Sequence, residues 1–260
     1  MKPTVRIAAL GDLHYGRNIA KQAQVALERV PELADVLVLC GDLTDTGTPE
    51  EARLLAKDLS SLGVPTLCVL GNHDYEAGQP QVVAEILTDA GVHVLDGEAV
   101  EVLGIGFAGV KGFGGGYGRG TLGPWGEPAI KAFVQEAVNE ALKLEKALAR
   151  LRTAHSVAIL HYAPIRETCE TEPPEILPYL GTSRLEEPLT RYQVDAVFHG
   201  HAHNGRLQGK TSNGVPVYNV SLPLLRKLMP DAPPFHLLEV PREPPSRDVL
   251  DQRSAFGSVS

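Results

Sequence analysis

The chain has 260 residues, with 24 lysines and arginines against 32 aspartates and glutamates, so its formal net charge at neutral pH is −8. Hydrophobic residues make up 43% and charged residues 22%, a balance that excludes a disordered or fibrous chain. No apolar run approaches the ~18 residues that a membrane span needs, and the acidic balance argues against a protein that binds along nucleic acid, whose phosphates call for a basic face.

Short apolar runs alternate with amphipathic stretches along much of the chain. The runs are typical of buried strands, because they are rich in aliphatic and β-branched residues: Val5–Leu10, Val36–Leu39, Thr66–Leu70, Val157–Leu160 and Ala196–Phe198. Helices are predicted at Asn18–Leu33, from Pro49 to near Gly63, at Gln81–Ala90 and at Glu127–Arg152. A hairpin is predicted from Val100–Leu103 and Ile105–Ala108, and late strands at Tyr218–Val220 and Phe235–Val240.

This alternation predicts an α/β fold with parallel strands in the first half and antiparallel pieces in the second. We expect one domain over residues 1–240 and a flexible C-terminal tail over 241–260, which is rich in Pro, Arg, Asp and Ser. The three cysteines, Cys40, Cys68 and Cys169, are scattered and odd in number, which favours free thiols and a cytoplasmic protein.

One segment, Lys111–Gly120, has a strongly biased composition with six glycines in ten residues. It is either a flexible surface loop or a loop over the active site whose backbone N–H groups, Lys111 and Arg119 meet an anionic substrate. Its glycine spacing fits neither a Walker nor a Rossmann phosphate loop.

Histidines, aspartates and one asparagine follow five of the predicted strands. The segments are Gly11-Asp12-Leu13-His14, Gly41-Asp42-Leu43-Thr44-Asp45, Gly71-Asn72-His73-Asp74, His161, and His199-Gly200-His201-Ala202-His203. A single such residue would most often be a helix cap or a structural histidine. The carboxyl ends of parallel strands face one crevice, so five sets in this position predict a common site.

Carboxylates, an amide oxygen and imidazoles suit Mn²⁺, Fe or Zn²⁺, and the absence of cysteine from the set argues against a structural zinc site. Seven donors are too many for one tetrahedral ion and enough for two ions that share a carboxylate; they are Asp12, His14, Asp42, Asn72, His161, His201 and His203. Two divalent ions ~4 Å apart favour in-line phosphoryl displacement.

These motifs, in this order over residues 11–203, resemble the calcineurin-like metallophosphoesterase family. The resemblance implies a four-layer αββα sandwich of two mixed β-sheets flanked by helices. It implies a first ion on Asp12, His14, Asp42 and His203, and a second ion on Asp42, Asn72, His161 and His201, with Asp42 bridging. It also implies that His73 faces the substrate phosphate and leaving-group oxygen and that Asp74 orients the His73 imidazole.

The predicted reaction is hydrolysis of a phosphomonoester or phosphodiester by a hydroxide that bridges the two ions, with His73 as general acid or phosphate ligand. Mn²⁺ is the expected metal, with Fe or Zn²⁺ as alternatives. A small phosphoester is the expected partner, and Lys111, Arg119 and Arg166 are candidate substrate contacts because they lie near the motifs. A nuclease or nucleotide hydrolase, and a non-catalytic scaffold that keeps the fold, are the competing hypotheses. The oligomeric state stays open.

Overall fold

Two mixed β-sheets form the centre of the computed structural model, which describes residues 3–16 and 20–242. The first sheet contains β1 (Thr4–Leu10), β2 (Val36–Cys40), β3 (Thr66–Val69), β4 (His93–Val94) and β11 (His236–Pro241), in the order β11-β1-β2-β3-β4. The second contains β5 (Glu98–Val102), β6 (Ile105–Val110), β7 (His155–Leu160), β8 (Ala196–His199), β9 (Gln208–Lys210) and β10 (Pro216–Asn219), in the order β5-β6-β7-β8-β10-β9.

Helices flank the two sheets. They are α1 (Ala20–Glu28), α2 (Val30–Leu33), α3 (Pro49–Ser60), α4 (Pro80–Asp89), α5 (Pro128–Leu148), α6 (Leu177–Leu180), α7 (Glu186–Arg191) and α8 (Leu222–Leu228). Single 3-10 turns lie at His73–Tyr75, Gly118–Gly120, Glu167–Cys169 and Ser183–Leu185. This arrangement confirms the predicted sandwich of two mixed sheets between helices. None of the helices in the described part of the chain has the length and apolar character needed to cross a bilayer.

The core divides according to the two faces of the second sheet. Val157 and Ile159 of β7 belong to the cluster that includes the first sheet, whereas Ala158 and Leu160 belong to the cluster that includes α5. Successive strand residues point to opposite faces, so a strand covered on both sides is apolar throughout. The three cysteines are buried and free, as predicted.

Two helix predictions needed correction. The predicted helix Asn18–Leu33 is two helices, broken at Arg29, because Pro31 lies in the first turn of α2 and its ring cannot continue a preceding helix; Asn18 itself lies outside the described residues. The predicted helix Glu127–Arg152 ends at Leu148. Beyond this end, the guanidinium of Arg152 donates hydrogen bonds to the carbonyls of Ala149 and Leu151, which follow the last helical residue.

The first two residues of the predicted C-terminal tail pair with Thr4 and Pro3. Pro241 still pairs with Thr4 in β11, and the N–H of Arg242 donates to the carbonyl of Pro3. The rest of the predicted tail, 243–260, lies outside the described residues.

Candidate metal centre

The five predicted motifs follow the carboxyl ends of β1, β2, β3, β7 and β8. Strands β1, β2 and β3 are mutually parallel in one sheet, and β7 and β8 are parallel in the other. The motifs therefore share one edge of the sandwich. Side chains up to 191 residues apart in sequence meet there, since Nε2 of His203 lies 3.0 Å from Oδ1 of Asp12.

Four of these residues have a left-handed backbone conformation. The φ angles are 57° at Asp12, 44° at His14, 46° at Asp42 and 70° at His201, and Leu103 is the only other non-glycine residue in the described chain with a positive φ. Each such conformation costs about 1 kcal/mol or more, and such residues concentrate at functional sites. The fold thus holds these side chains in place at a cost in stability.

Two motif glycines allow this close packing. A Cβ added at Gly71 would overlap Oδ1 and the backbone nitrogen of Asp42, and one added at Gly200 would overlap Oδ2 of Asp12. Each glycine leaves room for a donor from a different motif. The motifs are therefore packed directly on one another.

Asp12, His14 and His203 form the first candidate metal-binding group. One ligand atom from each lies within 4.8 Å of the others. Nε2 of His14 is buried and has no hydrogen-bond partner. Burial lowers the pKa of His14 to about 4, so this imidazole is uncharged at neutral pH. A buried ring nitrogen with a free lone pair and a carboxylate nearby suit a divalent cation.

Asp42, His161 and His201 form the second candidate group by the same criterion. Nδ1 of His161 faces the carbonyl of Cys40 at 2.9 Å, and Nε2 of His201 faces the carbonyl of Tyr179 at 3.2 Å. Carbonyls only accept hydrogen bonds, so these nitrogens carry the protons. The other nitrogen of each uncharged ring carries no proton and has a lone pair that can bind a cation. Burial lowers the pKa of both histidines to about 3.

Asn72 and Asp42 complete the surroundings of this second group. The Asn72 amide oxygen lies 2.9 Å from Nε2 of His161, and Oδ1 of Asp42 lies 3.3 Å from the same nitrogen. Oδ2 of Asp42 lies 3.9 Å from Nε2 of His14. The two oxygens of one buried carboxylate thus face the two groups, the arrangement a bridging ligand requires. The seven predicted donors suit divalent cations by their chemistry, and Asp42 lies between the two groups.

His73 lies beside the first group, with its ring centroid 4.5 Å from that of His14. Its Nδ1 faces the carbonyl oxygen of Asp45 at 2.7 Å, so Nδ1 carries a proton and Nε2 is left for other partners. Burial alone would lower the pKa of His73. The hydrogen bond to Asp45 and the nearby carboxylates of Asp42, Glu76 and Asp45 raise this pKa overall.

Asp45 was not among the predicted site residues. Besides its carbonyl contact with His73, its Oδ1 lies 3.7 Å from Nδ1 of His14, and His14, Asp45 and His73 form a third group of close donors. Its position three residues after Asp42, in the same strand-end loop, was the available indication. The role of its main-chain carbonyl could not be predicted from the residue type, because every residue has such a carbonyl.

The carboxylate of Asp74 makes its hydrogen bonds to the loops after β2 and β3 rather than to the imidazole of His73. Its fully buried carboxylate accepts hydrogen bonds from the N–H groups of Leu43, Thr44 and Gly71 and from the Thr44 hydroxyl. These four donors occupy both oxygens, and the partner of His73 is Asp45 instead. Asp74 joins the loop after β2 to the loop after β3. Because Asp42 and Asn72 lie on these two loops, Asp74 positions the ligands from a distance.

The three predicted substrate contacts lie in different surroundings. Lys111 is buried; its Nζ donates to the carbonyl of Gly112 and lies 4.8 Å from the ring centroid of Phe113. Burial is the main cause of the low pKa of His161, and the positive charge of Lys111 lowers this pKa further, whereas the hydrogen bond to the Cys40 carbonyl raises it. Arg119 and Arg166 are exposed. Their contact with a substrate stays a prediction.

The glycine-rich segment is packed rather than free along its first half. Residues 111–116 are buried except for the half-buried Phe113. The N–H of Gly115 donates to the carbonyl of Pro178, and that of Gly116 to the carbonyl of Gly181. The segment is therefore joined to the 178–183 stretch, which also supplies the Tyr179 carbonyl to His201.

Two sequence relatives are phosphodiesterases by name. The 3',5'-cyclic-nucleotide phosphodiesterase alr5338 of Nostoc sp. (strain PCC 7120) is 33% identical over 85 residues, which cover 28% of this chain and 32% of that protein. The probable glycerophosphodiester phosphodiesterase GpdQ of Arcobacter nitrofigilis is 25% identical over 174 residues, which cover 65% of this chain and 56% of that protein. The chain thus spans about a third of the length of the Nostoc protein and about half of the length of the Arcobacter protein.

Solved structures share the fold at low sequence identity. Phosphopantetheinyl hydrolase (PptH) from Mycobacterium tuberculosis superposes with a TM-score of 0.67 at 17% identity, over 94% of this chain and 98% of that one. TT1561 of Thermus thermophilus superposes with a TM-score of 0.56 at 13% identity, over 92% of this chain and 100% of that one. At these identities the likeness establishes the fold alone.

A two-sheet sandwich with clustered aspartates and histidines at one edge is the arrangement of a metal-dependent phosphoric ester hydrolase. The chain belongs to the calcineurin-like phosphoesterase family, which matches it over residues 5–205. The matched region contains all five motifs.

Proposed function

We propose that the chain is a phosphodiesterase that uses two divalent ions, with Mn²⁺ as the preferred metal and a small phosphodiester as substrate. The position of Asp42 carries this proposal, because one of its carboxylate oxygens lies 3.9 Å from Nε2 of His14 in the first group and the other lies 3.3 Å from Nε2 of His161 in the second. Both sequence relatives are named phosphodiesterases, which supports a diester over a monoester. The net charge of −8 supports a small substrate over a long nucleic acid.

In this proposal Asp12, His14 and His203 hold one ion, Asn72, His161 and His201 hold the other, and Asp42 contacts both. When bound, the ions polarise the phosphoryl group and lower the pKa of water near it. The imidazoles of His14, His161 and His201 need no deprotonation before they bind, because burial keeps them uncharged.

His73 acts on the substrate rather than on the metals. The carbonyl of Asp45 fixes the proton of His73 on Nδ1, and the raised pKa favours a second proton on Nε2. That N–H donates to a phosphate oxygen as negative charge builds up, or passes its proton to the leaving oxygen. Either action stabilises the transition state more than the ground state.

A turnover screen of the purified protein with added Mn²⁺ tests the proposal. The substrates are one chromogenic diester, one chromogenic monoester and 3',5'-cyclic nucleotides, each with and without chelator. We expect metal-dependent hydrolysis that is fastest with a diester and lost in His161→Ala. His93→Gln is the matched control, because His93 is exposed and lies in β4 away from the motifs.

The competing functions give different results in the same screen. Faster hydrolysis of single-stranded DNA or RNA than of small diesters would favour the nuclease. Metal binding without turnover of any ester would favour the non-catalytic scaffold. Equal hydrolysis with and without chelator would contradict the metal-dependent mechanism.

A further inference from the structure

A chain of aromatic ring contacts leads from the candidate metal centre to the surface. The ring centroids of His201 and Tyr162 lie 4.5 Å apart, those of Tyr162 and Phe113 5.8 Å, and those of Phe113 and Phe133 4.8 Å. The ring of Phe133 then meets that of Tyr179 at 6.4 Å in an edge-on contact. This row of rings, the aromatic wall, begins at a candidate ligand, passes through the buried Tyr162 and the half-buried Phe113 and Phe133, and ends at Tyr179.

Large apolar side chains are exposed at the outer end of this wall. Tyr179 is 63% exposed, and Trp125, the only tryptophan of the chain, is 78% exposed. Ile130, Leu122 and Ile176 are 43%, 38% and 39% exposed. Exposed apolar groups gathered on neighbouring segments of a globular protein commonly mark a binding surface.

These residues lie on chain segments that are joined to one another. The N–H of Leu122 donates to the carbonyl of Gly115, and the N–H of Gly115 donates to the carbonyl of Pro178, the neighbour of Tyr179. Trp125 follows Leu122 by three residues and precedes the start of α5. The term aromatic lip is used below for Leu122, Trp125, Ile130, Phe133, Ile176 and Tyr179.

The aromatic lip is connected to the candidate centre through one residue. The main-chain carbonyl of Tyr179 accepts a hydrogen bond from Nε2 of His201 at 3.2 Å, while the side chain of the same tyrosine is exposed. A phosphoester whose phosphate lies at the metals can therefore place a neighbouring group on the lip. The net charge of −8 disfavours an anionic membrane surface as the occupant.

We propose that the aromatic lip binds the leaving group of the substrate and selects phosphoesters whose leaving group carries a flat aromatic ring. Tyrosine and tryptophan bind such rings by offset or edge-on packing in addition to apolar burial, which a saturated ring of similar size cannot match. This inference rests on the proposed function and adds a leaving-group subsite to it.

Leaving groups of matched acidity test the inference by kinetics. The symmetric phosphodiesters dibenzyl, bis(cyclohexylmethyl) and dimethyl phosphate all release an alcohol that is a poor leaving group, so differences in kcat/KM report binding of the group. For the wild type we expect benzyl to exceed methyl by about tenfold or more through apolar burial. We expect benzyl to exceed cyclohexylmethyl by about three- to tenfold through aromatic packing.

The double variant Trp125→Ala/Tyr179→Ala should bring the three esters to within about twofold of one another. The test uses the ratios among the three esters rather than the absolute kcat/KM of the variant, because the main-chain carbonyl of Tyr179 also contacts His201. Leu142→Ala is the matched control, since Leu142 is 46% exposed on the same helix as Ile130 but lies three turns away. This control should keep the wild-type order of esters.

Tryptophan fluorescence supplies a readout that does not depend on turnover. Because Trp125 is the only tryptophan, a saturable change in emission on titration with benzylphosphonate reports occupancy of the lip directly. In the presence of Mn²⁺ we expect benzylphosphonate to bind at least about tenfold more tightly than methylphosphonate. Tyr179→Ala, which keeps Trp125, should weaken that binding, and Leu142→Ala should leave it unchanged.

Three results would overturn the inference. The first is equal kcat/KM for all three esters in an active enzyme. The second is equal preference for benzyl and cyclohexylmethyl over methyl, which would make the lip an unspecific apolar surface. The third is a fall in sedimentation coefficient from dimer to monomer in Trp125→Ala/Tyr179→Ala, which would make the lip an interface between copies. Failure of the proposed function looks different, because then no ester is turned over at all.

Discussion

Nε2 of His161 lies 3.3 Å from Oδ1 of Asp42, on the side of the imidazole ring that carries no proton. The imidazole proton is on Nδ1, which donates to Cys40, and burial lowers the pKa of the ring to about 3. Two lone pairs held this close in a buried site are unfavourable unless a cation lies near both. The contact therefore supports a candidate cation site beside both atoms.

The bridging position of Asp42 predicts a graded loss of metal. Asp42→Ala removes an oxygen from each candidate group and should leave less than one ion per chain after Mn²⁺ loading, whereas His14→Ala should retain about one. Elemental analysis after gel filtration measures both. Asp42→Asn is the control for folding, because its amide oxygen can still accept the hydrogen bond from the N–H of His73. Two ions retained in Asp42→Ala would show that the carboxylate does not bridge.

His73 should affect chemistry without affecting metal content. His73→Asn should keep both ions and lower kcat by about 10²–10⁴, the range for a positioned proton donor. The loss should be smallest for nitrophenyl esters, whose leaving group departs without a proton, and largest for alkyl esters. An equal loss for both ester types would restrict His73 to charge stabilisation, and a loss of metal would make it a ligand.

Asp74 and Asp45 should respond differently to the same substitution. Asp74→Asn replaces one acceptor oxygen by an NH2 donor that faces N–H donors in a fully buried position, and it should lower the free energy of unfolding by about 2–4 kcal/mol. Asp45→Asn keeps the main-chain carbonyl that binds His73 and should lower it by less than about 1 kcal/mol. Urea unfolding of the metal-free proteins measures both values. Equal effects would contradict the loop-joining role of Asp74.

The metal-free protein should lose stability as the pH falls below 6.5. Burial lowers the pKa of His14 and His199 to about 4 and that of His161 and His201 to about 3, so the unfolded chain takes up these four protons before the folded one does. Burial raises the pKa of Asp12 and Asp74 to about 6, which acts in the opposite direction between pH 6 and pH 3.8.

As the pH falls, proton uptake by the four histidines favours the unfolded state, and it outweighs proton uptake by the two aspartates, which favours the folded state. Each net proton is equivalent to about 1.4 kcal/mol per pH unit, so the free energy of unfolding should fall steadily from pH 6.5 to pH 4. Urea unfolding at several pH values measures the slope, and bound Mn²⁺ should protect the protein by keeping the imidazoles unprotonated. Constant stability over this range would mean that the buried histidines take up protons without unfolding.

The positions of the aspartates and histidines directly after predicted strands were sufficient to predict where the candidate site lies. Asp12, Asp42 and His161 follow parallel strands in two sheets, and strand direction alone brings their ends to one edge. The sandwich itself came from the family resemblance of the motifs. The helix break at Arg29 could have been anticipated from Pro31, which cannot continue a helix already under way.

The orientation of the site residues could not be predicted in the same way. His73, His161 and His201 are oriented by main-chain carbonyls of Asp45, Cys40 and Tyr179, and every residue type has such a carbonyl. The short helices between residues 167 and 191 leave little periodicity to detect, so the stretch that provides Tyr179 was not predicted. The buried surroundings of Lys111 depend on ring contacts from three separate segments.

Titration of the metal-free wild type with Mn²⁺ tests the central claim most directly. Bound metal is counted by elemental analysis at each step, and hydrolysis of a chromogenic phosphodiester is measured on the same samples. The account predicts saturation at two ions per chain, with activity that reaches its maximum only as the second ion binds and disappears on chelation. Saturation at one ion or none, or activity that survives chelation, would contradict it.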